Sequence, residues 1–328
     1  QTLGVSSKEW PVANAPKNIE IKSGTLKFSP HPSNSRTISG NLIFTGGTFT
    51  INTLTTLTLG NNANVKKKSA GGINYGAGAF YVSGTTGTDV VNIIMDFAGS
   101  ISENKELVFT TTNISPNLRI TAGTSYTMGG SRTVNNLYND GSMSINNNQT
   151  VLQDLIMNNG SIVTDATGTR KITVSGNIIG PGTHSSLGRV VMTGVGKTIS
   201  NFQTDSLDIA SGASVTAGSD LTIKGLNLTG NLNDGGKVIT VTGGINAGGG
   251  THAGAGKILM TGLGKTISGA GTCTIQNLEI ASSVTLAATA KLNIAGTFKF
   301  SDTTNNRVFT TNNRLTLKSS ASGTASVL

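Results

Sequence analysis

Short segments in which apolar and polar residues alternate recur along the whole chain. Turn residues such as Gly, Asn and Asp follow them, and clear examples are Arg189–Thr193, Ser206–Ile209, Leu221–Ile223 and Lys237–Val241. Alternation with a period of two is typical of strands that bury one side, and these turn residues favour tight bends. The apolar runs are too short and too β-branched for an amphipathic helix or a membrane span. The pattern therefore predicts an all-β protein of many short strands.

An internal repeat lies in the second half of the chain. Residues 182–200 and 250–268 are identical at twelve of nineteen positions, at a constant offset of 68 residues. Substitutions between the two copies preserve residue class, as in Val195 and Leu263. The similarity extends in both directions over residues 172–300, with small drifts in offset that belong in turns. A unit of about 70 residues therefore occurs nearly twice, which is the signature of a repeat architecture.

The repeat predicts a right-handed parallel β-helix, also called a β-solenoid. One unit is too long for a single coil and divides into about three rungs of about 20–25 residues. A series of β-sandwiches would need hairpins, of which the chain offers few clear examples. A narrow solenoid core also explains why Phe202 is the only aromatic residue between residues 139 and 297. The expected register has Ile199 and Ile267 pointing inward, and Met192 and Met260 in equivalent places three rungs apart.

Composition divides the chain into three parts. Residues 1–18 are predicted to form an N-terminal cap, because an open solenoid end exposes unpaired strand edges. Residues 19–135 are rich in aromatic residues and are predicted to form an irregular β region or early coils. Residues 136–328 are predicted to form regular solenoid coils. The strand-like segment at residues 315–317 is followed by no cap, so we expect the coils to continue beyond Leu328.

Charge and cysteine content restrict the partners of the protein. The formal net charge is +9, with 24 basic and 15 acidic residues, which favours acidic partners such as an anionic polysaccharide or a lipopolysaccharide surface. The run Lys66, Lys67 and Lys68 is predicted to be a solvated loop that could contact an anionic surface. No nucleic-acid motif accompanies the charge, so no nucleic-acid partner is expected. Cys273 is the only cysteine, which excludes a disulfide framework and favours a small buried side chain.

Motifs that suggest a cofactor or a metal fail on their context. The triplets at residues 196–198 and 264–266 resemble part of a phosphate-binding loop, but the preceding glycine and the following helix are missing. His184 and His252 occupy equivalent repeat positions, and three rungs would separate them by about 14 Å, too far for one metal ion. We therefore expect both to be turn residues. No cofactor and no metal site are predicted.

Acidic residues are too sparse to predict catalysis with any precision. Glycosidic cleavage needs two carboxyl groups about 5–10 Å apart. In the repeat region, only a pairing of Asp208 with Asp234 on adjacent coils has suitable spacing. The aromatic-rich first third, which contains Asp89, Asp96, Glu103 and Glu106, is the other region where a glycan site could lie. We expect the protein not to be an enzyme and to have no catalytic residue.

The repeated phrase at residues 260–269, followed by residues 275–280, resembles the coils of very large surface proteins from Bacteroidota. Those proteins are exported through the outer membrane by the type IX secretion system, and some act as adhesins in gliding motility or attachment. The resemblance covers roughly residues 140–300 and implies an extracellular protein at the cell surface. It also implies O-glycosylation at Asp-Ser/Thr motifs, for which Ser206 and Thr303 are the candidates.

Three functional hypotheses follow from these observations. The first is a structural or adhesive surface protein that forms a stiff β-solenoid stalk or fibre segment. Its expected partners are a cell-surface or extracellular polysaccharide or a solid surface, the secretion machinery, and further copies of the chain. The alternatives are a module that binds an anionic glycan and a polysaccharide-active enzyme of the β-helix type.

Overall fold

The structure is a computed structural model in which all regular secondary structure is β-strand. It describes residues 2–3, 16–28, 35–51, 56–60, 62–69, 72–75, 79–82, 91–103, 107–108, 115–164, 170–287, 289–301, 309–310, 315–317 and 326–327. Stacked parallel strands form a β-solenoid, so the all-β solenoid fold predicted from the sequence is confirmed. Most of the predicted cap at residues 1–18 lies outside the described residues.

The chain divides into two compact units, residues 1–152 and residues 153–328. The boundaries predicted at residues 18 and 135 stay predictions. Eighteen strands are described in the first unit: β1 Thr2–Leu3, β2 Ile19–Ile21, β3 Thr25–Phe28, β4 Ser35–Ile38, β5 Asn41–Phe44, β6 Thr48–Ile51, β7 Thr56–Leu59, β8 Asn64–Lys67, β9 Ile73–Tyr75, β10 Ala79–Val82, β11 Asn92–Met95, β12 Gly99–Ser102, β13 Asn117–Ile120, β14 Thr124–Met128, β15 Arg132–Val134, β16 Leu137–Asn139, β17 Ser142–Ile145 and β18 Gln149–Val151.

The second unit contains the sequence repeat. Its described strands are β19 Leu155–Met157, β20 Ser161–Thr164, β21 Lys171–Val174, β22 Ile178–Ile179, β23 Gly182–Met192, β24 Lys197–Ile199, β25 Phe202–Ile209, β26 Ser214–Ala217, β27 Leu221–Leu228, β28 Asn231–Asn233, β29 Val238–Val241, β30 Ile245–Ala247, β31 Thr251–Ala253, β32 Lys257–Met260, β33 Lys265–Ser268, β34 Thr272–Ile275, β35 Leu278–Ile280, β36 Val284–Leu286, β37 Lys291–Ile294, β38 Thr297–Phe300, β39 Phe309–Thr310, β40 Leu315–Leu317 and β41 Ser326–Val327.

Each coil of the second unit has three sides. Face 1 consists of β19, β22, β24, β26, β28, β31, β34, β37 and β40. Face 2 consists of β20, the first halves of β23, β25 and β27, and then β29, β32, β35, β38 and β41. Face 3 consists of β21, the second halves of β23, β25 and β27, and then β30, β33, β36 and β39. The chain therefore runs through faces 1, 2 and 3 in each coil before it returns to face 1.

Columns of apolar side chains fill the core of this unit. On face 3, Leu207, Leu226, Ile245 and Ile267 follow one another in register and are almost completely buried. Burial of one such side chain contributes about 1.5–3 kcal/mol. The inward orientation predicted for Ile199 and Ile267 is confirmed, because both are fully buried.

Cys273 belongs to the same kind of core. Its side chain is fully buried in β34, as the sequence predicted. Burial raises the pKa of its thiol to about 12. The thiol is therefore protonated and unreactive at neutral pH, because the thiolate is the reactive form.

The two copies of the sequence repeat lie on different faces, contrary to our expectation for the methionines. Met192 is in register with Ile209 on face 3, whereas Met260 is in register with Val241 on face 2. Both are fully buried in strands. The repeat thus advances by eleven strand segments, from the first half of β23 to β31, which is three coils and two further segments. Its offset of 68 residues is therefore not a whole number of coils.

An asparagine ladder runs along one turn of the first unit. The Nδ2 of Asn64 donates to Oδ1 of Asn41 at 3.1 Å, Asn92 donates to Asn64 at 3.1 Å, and Asn117 donates to Asn92 at 3.1 Å. Asn41 in turn donates to Oδ1 of Asn18 at 2.8 Å. Each amide satisfies the next one along the stack, so the ladder couples successive coils at a corner.

We expect Asn92→Ala to lower the free energy of unfolding of the first unit by about 1–2 kcal/mol, because it removes two ladder hydrogen bonds. Urea denaturation of the full chain measures the effect. Asn92→Asp, which can still accept from Asn117, should lose less. The outward substitution Ser144→Ala on β17 is the control, and an equal loss in this variant would contradict a specific role for the ladder.

Candidate functional site

The lysine run in the first unit is not a solvated loop. Lys66 and Lys67 end strand β8, and Lys67 is fully buried, with Nζ donating to the carbonyl oxygen of Ser102 at 2.8 Å. Lys68 is exposed and pairs with Asp96 at 3.5 Å. The loop interpretation was wrong because the alternation of the strand directs every second side chain inward. Lys67 is therefore not available to an anionic surface, whereas the contact predicted for Lys66 and Lys68 stays a prediction.

The acidic residues of the first unit that the structure describes include two of the four predicted candidates. Asp96 pairs with Lys68. Glu103 has a fully buried side chain that accepts from Nε of Arg132 at 2.5 Å and from the backbone amide of Gly129 at 2.8 Å. Asp89 and Glu106 lie outside the described residues. The two described carboxylates thus have basic partners and stabilise the coils around them.

Matching ion pairs occur on the outside of both repeat copies. On face 3, Nε of Arg189 lies 2.6 Å from Oδ2 of Asp208 on the next coil. On face 2, Nζ of Lys257 lies 2.5 Å from Oε2 of Glu279 on the next coil. The repeat therefore carries a cation and a carboxylate that meet one coil later, on whichever face the copy lies.

The environment of Glu279 keeps its carboxylate charged. Burial alone would raise its pKa, but hydrogen bonds from Lys257 and Ser301 and the positive charge of Lys299 together hold this pKa below its ordinary value. These residues border an open depression of about 370 Å³ on face 2. The depression presents two lysines around one carboxylate, so it can accept an anionic group.

The predicted pairing of Asp208 with Asp234 does not occur. Asp208 is in register with Asn227 on face 3 and accepts from its Nδ2 at 3.3 Å. Asp234 follows β28 and has a fully buried side chain beside His252. Asp205 pairs with Lys224 at 2.7 Å. The described carboxylates of the repeat region thus contact bases or backbone amides instead of one another, and the part of the chain described contains no cluster of three metal-ligating residues.

His184 and His252 are core residues and not turn residues, as we had expected. His184 lies on face 2 and His252 on face 1, and each is 2 % exposed. Nε2 of His252 lies 3.0 Å from Oδ2 of Asp234, although the alignment is poorer than in a regular hydrogen bond. Burial lowers the pKa of His252 more than the charge of Asp234 raises it. Both rings are therefore neutral at pH 7 and pack as part of the core.

His184 should make the fold sensitive to acid. Burial lowers its pKa from 6.5 to about 4, against a smaller raising effect of Asp205. Between these values the unfolded chain binds a proton that the folded chain does not, so stability falls as the pH drops from 6.5 towards 4, by up to about 3 kcal/mol. We expect His184→Leu to remove this part of the acid sensitivity in urea titrations at pH 7 and pH 4.5. An equal loss of stability in both proteins between those pH values would contradict it.

The predicted glycosylation sites have different standing. Ser206 lies in β25, is half-buried, and its Oγ donates to Oδ1 of Asp208 at 3.4 Å. Thr303 lies outside the described residues. Glycosylation at either residue stays a prediction.

Two turns project apolar side chains into solvent. Val195 is 71 % exposed and Leu263 is 77 % exposed, and they occupy equivalent positions in the two repeat copies. Each is followed by a glycine with positive φ, 66° at Gly196 and 63° at Gly264, and then by a lysine. The sequence comparison paired these two residues but gave no reason to expect both to be exposed. We call Val195 and Leu263 the turn tips.

Comparisons with known proteins do not add to this description. The chain matches no protein-family model, no curated protein and no solved structure. Among the described residues, no helix is long and apolar enough to cross a membrane. The fold and the site thus define a parallel β-solenoid with a buried apolar core and a polar, ion-paired outer surface.

Proposed function

We propose that this chain is an extracellular structural or adhesive surface protein whose coils form a stiff stalk or fibre segment. The observation that carries the proposal is the continuous coil-to-coil pairing of parallel strands in each unit, with buried apolar columns inside. Each coil buries its apolar side chains together with those of its neighbours, so bending would require the loss of core contacts and of backbone hydrogen bonds.

The outer surface supports an adhesive role over a catalytic one. On face 1, the outward column of Ser214, Asn231, Thr251, Thr274 and Asn293 consists of short polar side chains in register. Such a column offers repeated hydrogen-bonding groups at the coil spacing of about 4.8 Å. We also propose that the protein does not cleave polysaccharides. Support for this comes from the pairing of Asp205, Asp208 and Glu279 with basic residues.

A module that binds anionic glycans is the second candidate. It is favoured by the depression on face 2, where Lys257 and Lys299 lie around Glu279. Salt dependence distinguishes it, because binding through exposed lysines weakens as the ionic strength rises. The export route and the bacterial group implied by the repeat phrase belong to the proposal in the same way.

Surface labelling of intact cells and bead attachment test the proposed function. We expect an impermeant label to modify the protein on whole cells, and beads coated with the full chain to remain on glass or polysaccharide films under flow. Beads coated with urea-unfolded chain are the control. Equal retention of both bead types, or a chain reached by the label only after lysis, would overturn the proposal. Turnover of any polysaccharide that is abolished by a single carboxylate substitution would favour an enzyme instead.

A further inference from the structure

We propose that face 3 of the second unit docks flat onto a bilayer that contains anionic lipids, with a turn tip inserted at each of its two edges. The inference deepens the proposed adhesive function and rests on it. It names the adhesive face and a class of surface that this face recognises.

The two turn tips border the same face, although they come from different repeat copies. The turn of Val195 joins β23 on face 3 to β24 on face 1. The turn of Leu263 joins β32 on face 2 to β33 on face 3. The shift of the repeat between faces is what places the two tips on opposite edges of face 3. Four coil steps separate them along the stack, about 19 Å at the usual strand spacing.

Both turns are rigid and have the same conformation. A Cβ on Gly194 would collide with the carbonyl oxygen of Ser175, and a Cβ on Gly262 would collide with that of Thr242. In both turns this Cβ would also press on the side chain of the lysine that follows the tip. The close packing holds each aliphatic side chain away from the core at a fixed position, so little ordering remains to oppose insertion.

Single exposed apolar residues are common on protein surfaces and need no explanation. These two differ because they recur at one repeat position while seven of the nineteen positions compared have changed. The position has accepted a change from Val to Leu, but its side chain is strongly exposed in both copies. The apolar character is thus retained where the core gains nothing from it.

The area between the tips is flat. Gly225 lies in the middle of β27 on face 3, where a Cβ would meet its nearest heavy atom at 3.7 Å, an ordinary contact. The fold therefore leaves room for a side chain at Gly225 but carries none, and a strand glycine of this kind often marks the close approach of a ligand. Asp208, Asn227 and Asn246 beside it form a short polar ladder.

Charge favours an anionic partner at both edges. Lys197 and Lys265 each lie two residues after a tip, and neither forms an ion pair within the described part of the chain. The carboxylate of Asp208 on face 3 is already paired with Arg189. A projecting aliphatic side chain beside a lysine matches the boundary of a bilayer, where acyl chains lie below anionic headgroups. A planar surface is also the one partner that meets both edges of a flat face at once.

Co-sedimentation of the full chain with lipid vesicles tests the inference. We expect binding to vesicles of phosphatidylcholine with phosphatidylglycerol, and little binding to phosphatidylcholine alone. The double variant Val195→Ser with Leu263→Ser should bind at least about tenfold less tightly, since two inserted side chains are lost. Each single variant should lose part of this. Lys197→Gln with Lys265→Gln should also weaken binding, and more so at low salt.

Matched controls lie away from face 3. Ile179→Ser changes a 42 % exposed apolar residue on face 1, and Lys237→Gln changes a lysine between faces 1 and 2. Both variants should bind like the native chain. The inference is overturned if the native chain ignores anionic vesicles, if the tip variants bind normally, if only one tip matters, or if the controls lose as much.

The bead assay separates this inference from the proposed function. Loss of vesicle binding in the tip variants, with bead retention on glass unchanged, supports lipid docking as a distinct property of face 3. If native beads are not retained but vesicle binding fails in the tip variants, adhesion to solid surfaces is wrong and lipid docking stands. If beads are retained and the native chain binds no vesicle, only the lipid inference fails.

Discussion

The variant Ile267→Asp is expected to lose about 4 kcal/mol of unfolding free energy, because it leaves an unpaired charge in an apolar core. Ile267 is fully buried on face 3, in register with Ile245 and Leu286. The coil offers no basic side chain on the inside to meet the new carboxylate among these neighbours. A loss of this size is a large part of the stability of an ordinary domain, about 5–15 kcal/mol.

Urea denaturation followed by circular dichroism measures this loss. Thr266→Asp is the matched control, because its side chain is half-exposed on the same strand and its carboxylate stays in water. Ile199→Asp tests the same principle on face 1, where Ile199 is fully buried. Unfolding midpoints close to that of the native chain in both isoleucine variants would refute the inward register.

A second large effect is expected from Asp234→Ala. Oδ1 of Asp234 accepts from the backbone amides of Gly236 at 2.7 Å and Gly256 at 2.8 Å, while Oδ2 lies 3.0 Å from Nε2 of His252. Removal of the carboxylate leaves these buried donors without a partner. The desolvation cost of each is about 1–3 kcal/mol, so we expect a total loss of about 3–5 kcal/mol.

The conservative variant Asp234→Asn separates hydrogen bonding from packing. Its amide oxygen can still accept from Gly236 and Gly256, so it should retain much of the stability that Asp234→Ala loses. Asp220→Ala is the control for a carboxylate near the surface, since Asp220 is exposed and its Oδ1 accepts one bond at 2.9 Å from the amide of Val238. If Asp234→Ala and Asp220→Ala unfold at the same urea concentration, the buried carboxylate does not hold the two coils together.

Alternation and turn residues carried most of the fold prediction. The strands expected around Val190, Leu207, Ile223 and Val241 are all present, and these four side chains are buried. Period-two alternation determines which side chains point inward wherever one side of a sheet is dry. The same rule would have placed Lys67 inside, because it lies two residues after the buried Val65.

The positions of the repeat copies could not be read from the sequence. An offset of 68 residues fits either three rungs or three coils and two further segments, depending on how many residues each turn uses. Turns in this unit range from one residue between the halves of β25 to longer connections. Only the pairing of strands shows that His184 and His252 lie on different faces.

The shift of the repeat has a consequence for any chain built from further copies of it. Each copy would begin two segments beyond a whole number of coils, so its exposed groups would turn about the solenoid axis by one third of a revolution relative to those of the previous copy. Three copies would complete a screw, and the fourth would again match the first. Neighbouring stalks with such a screw could touch at regular heights from any side, without having to share one orientation.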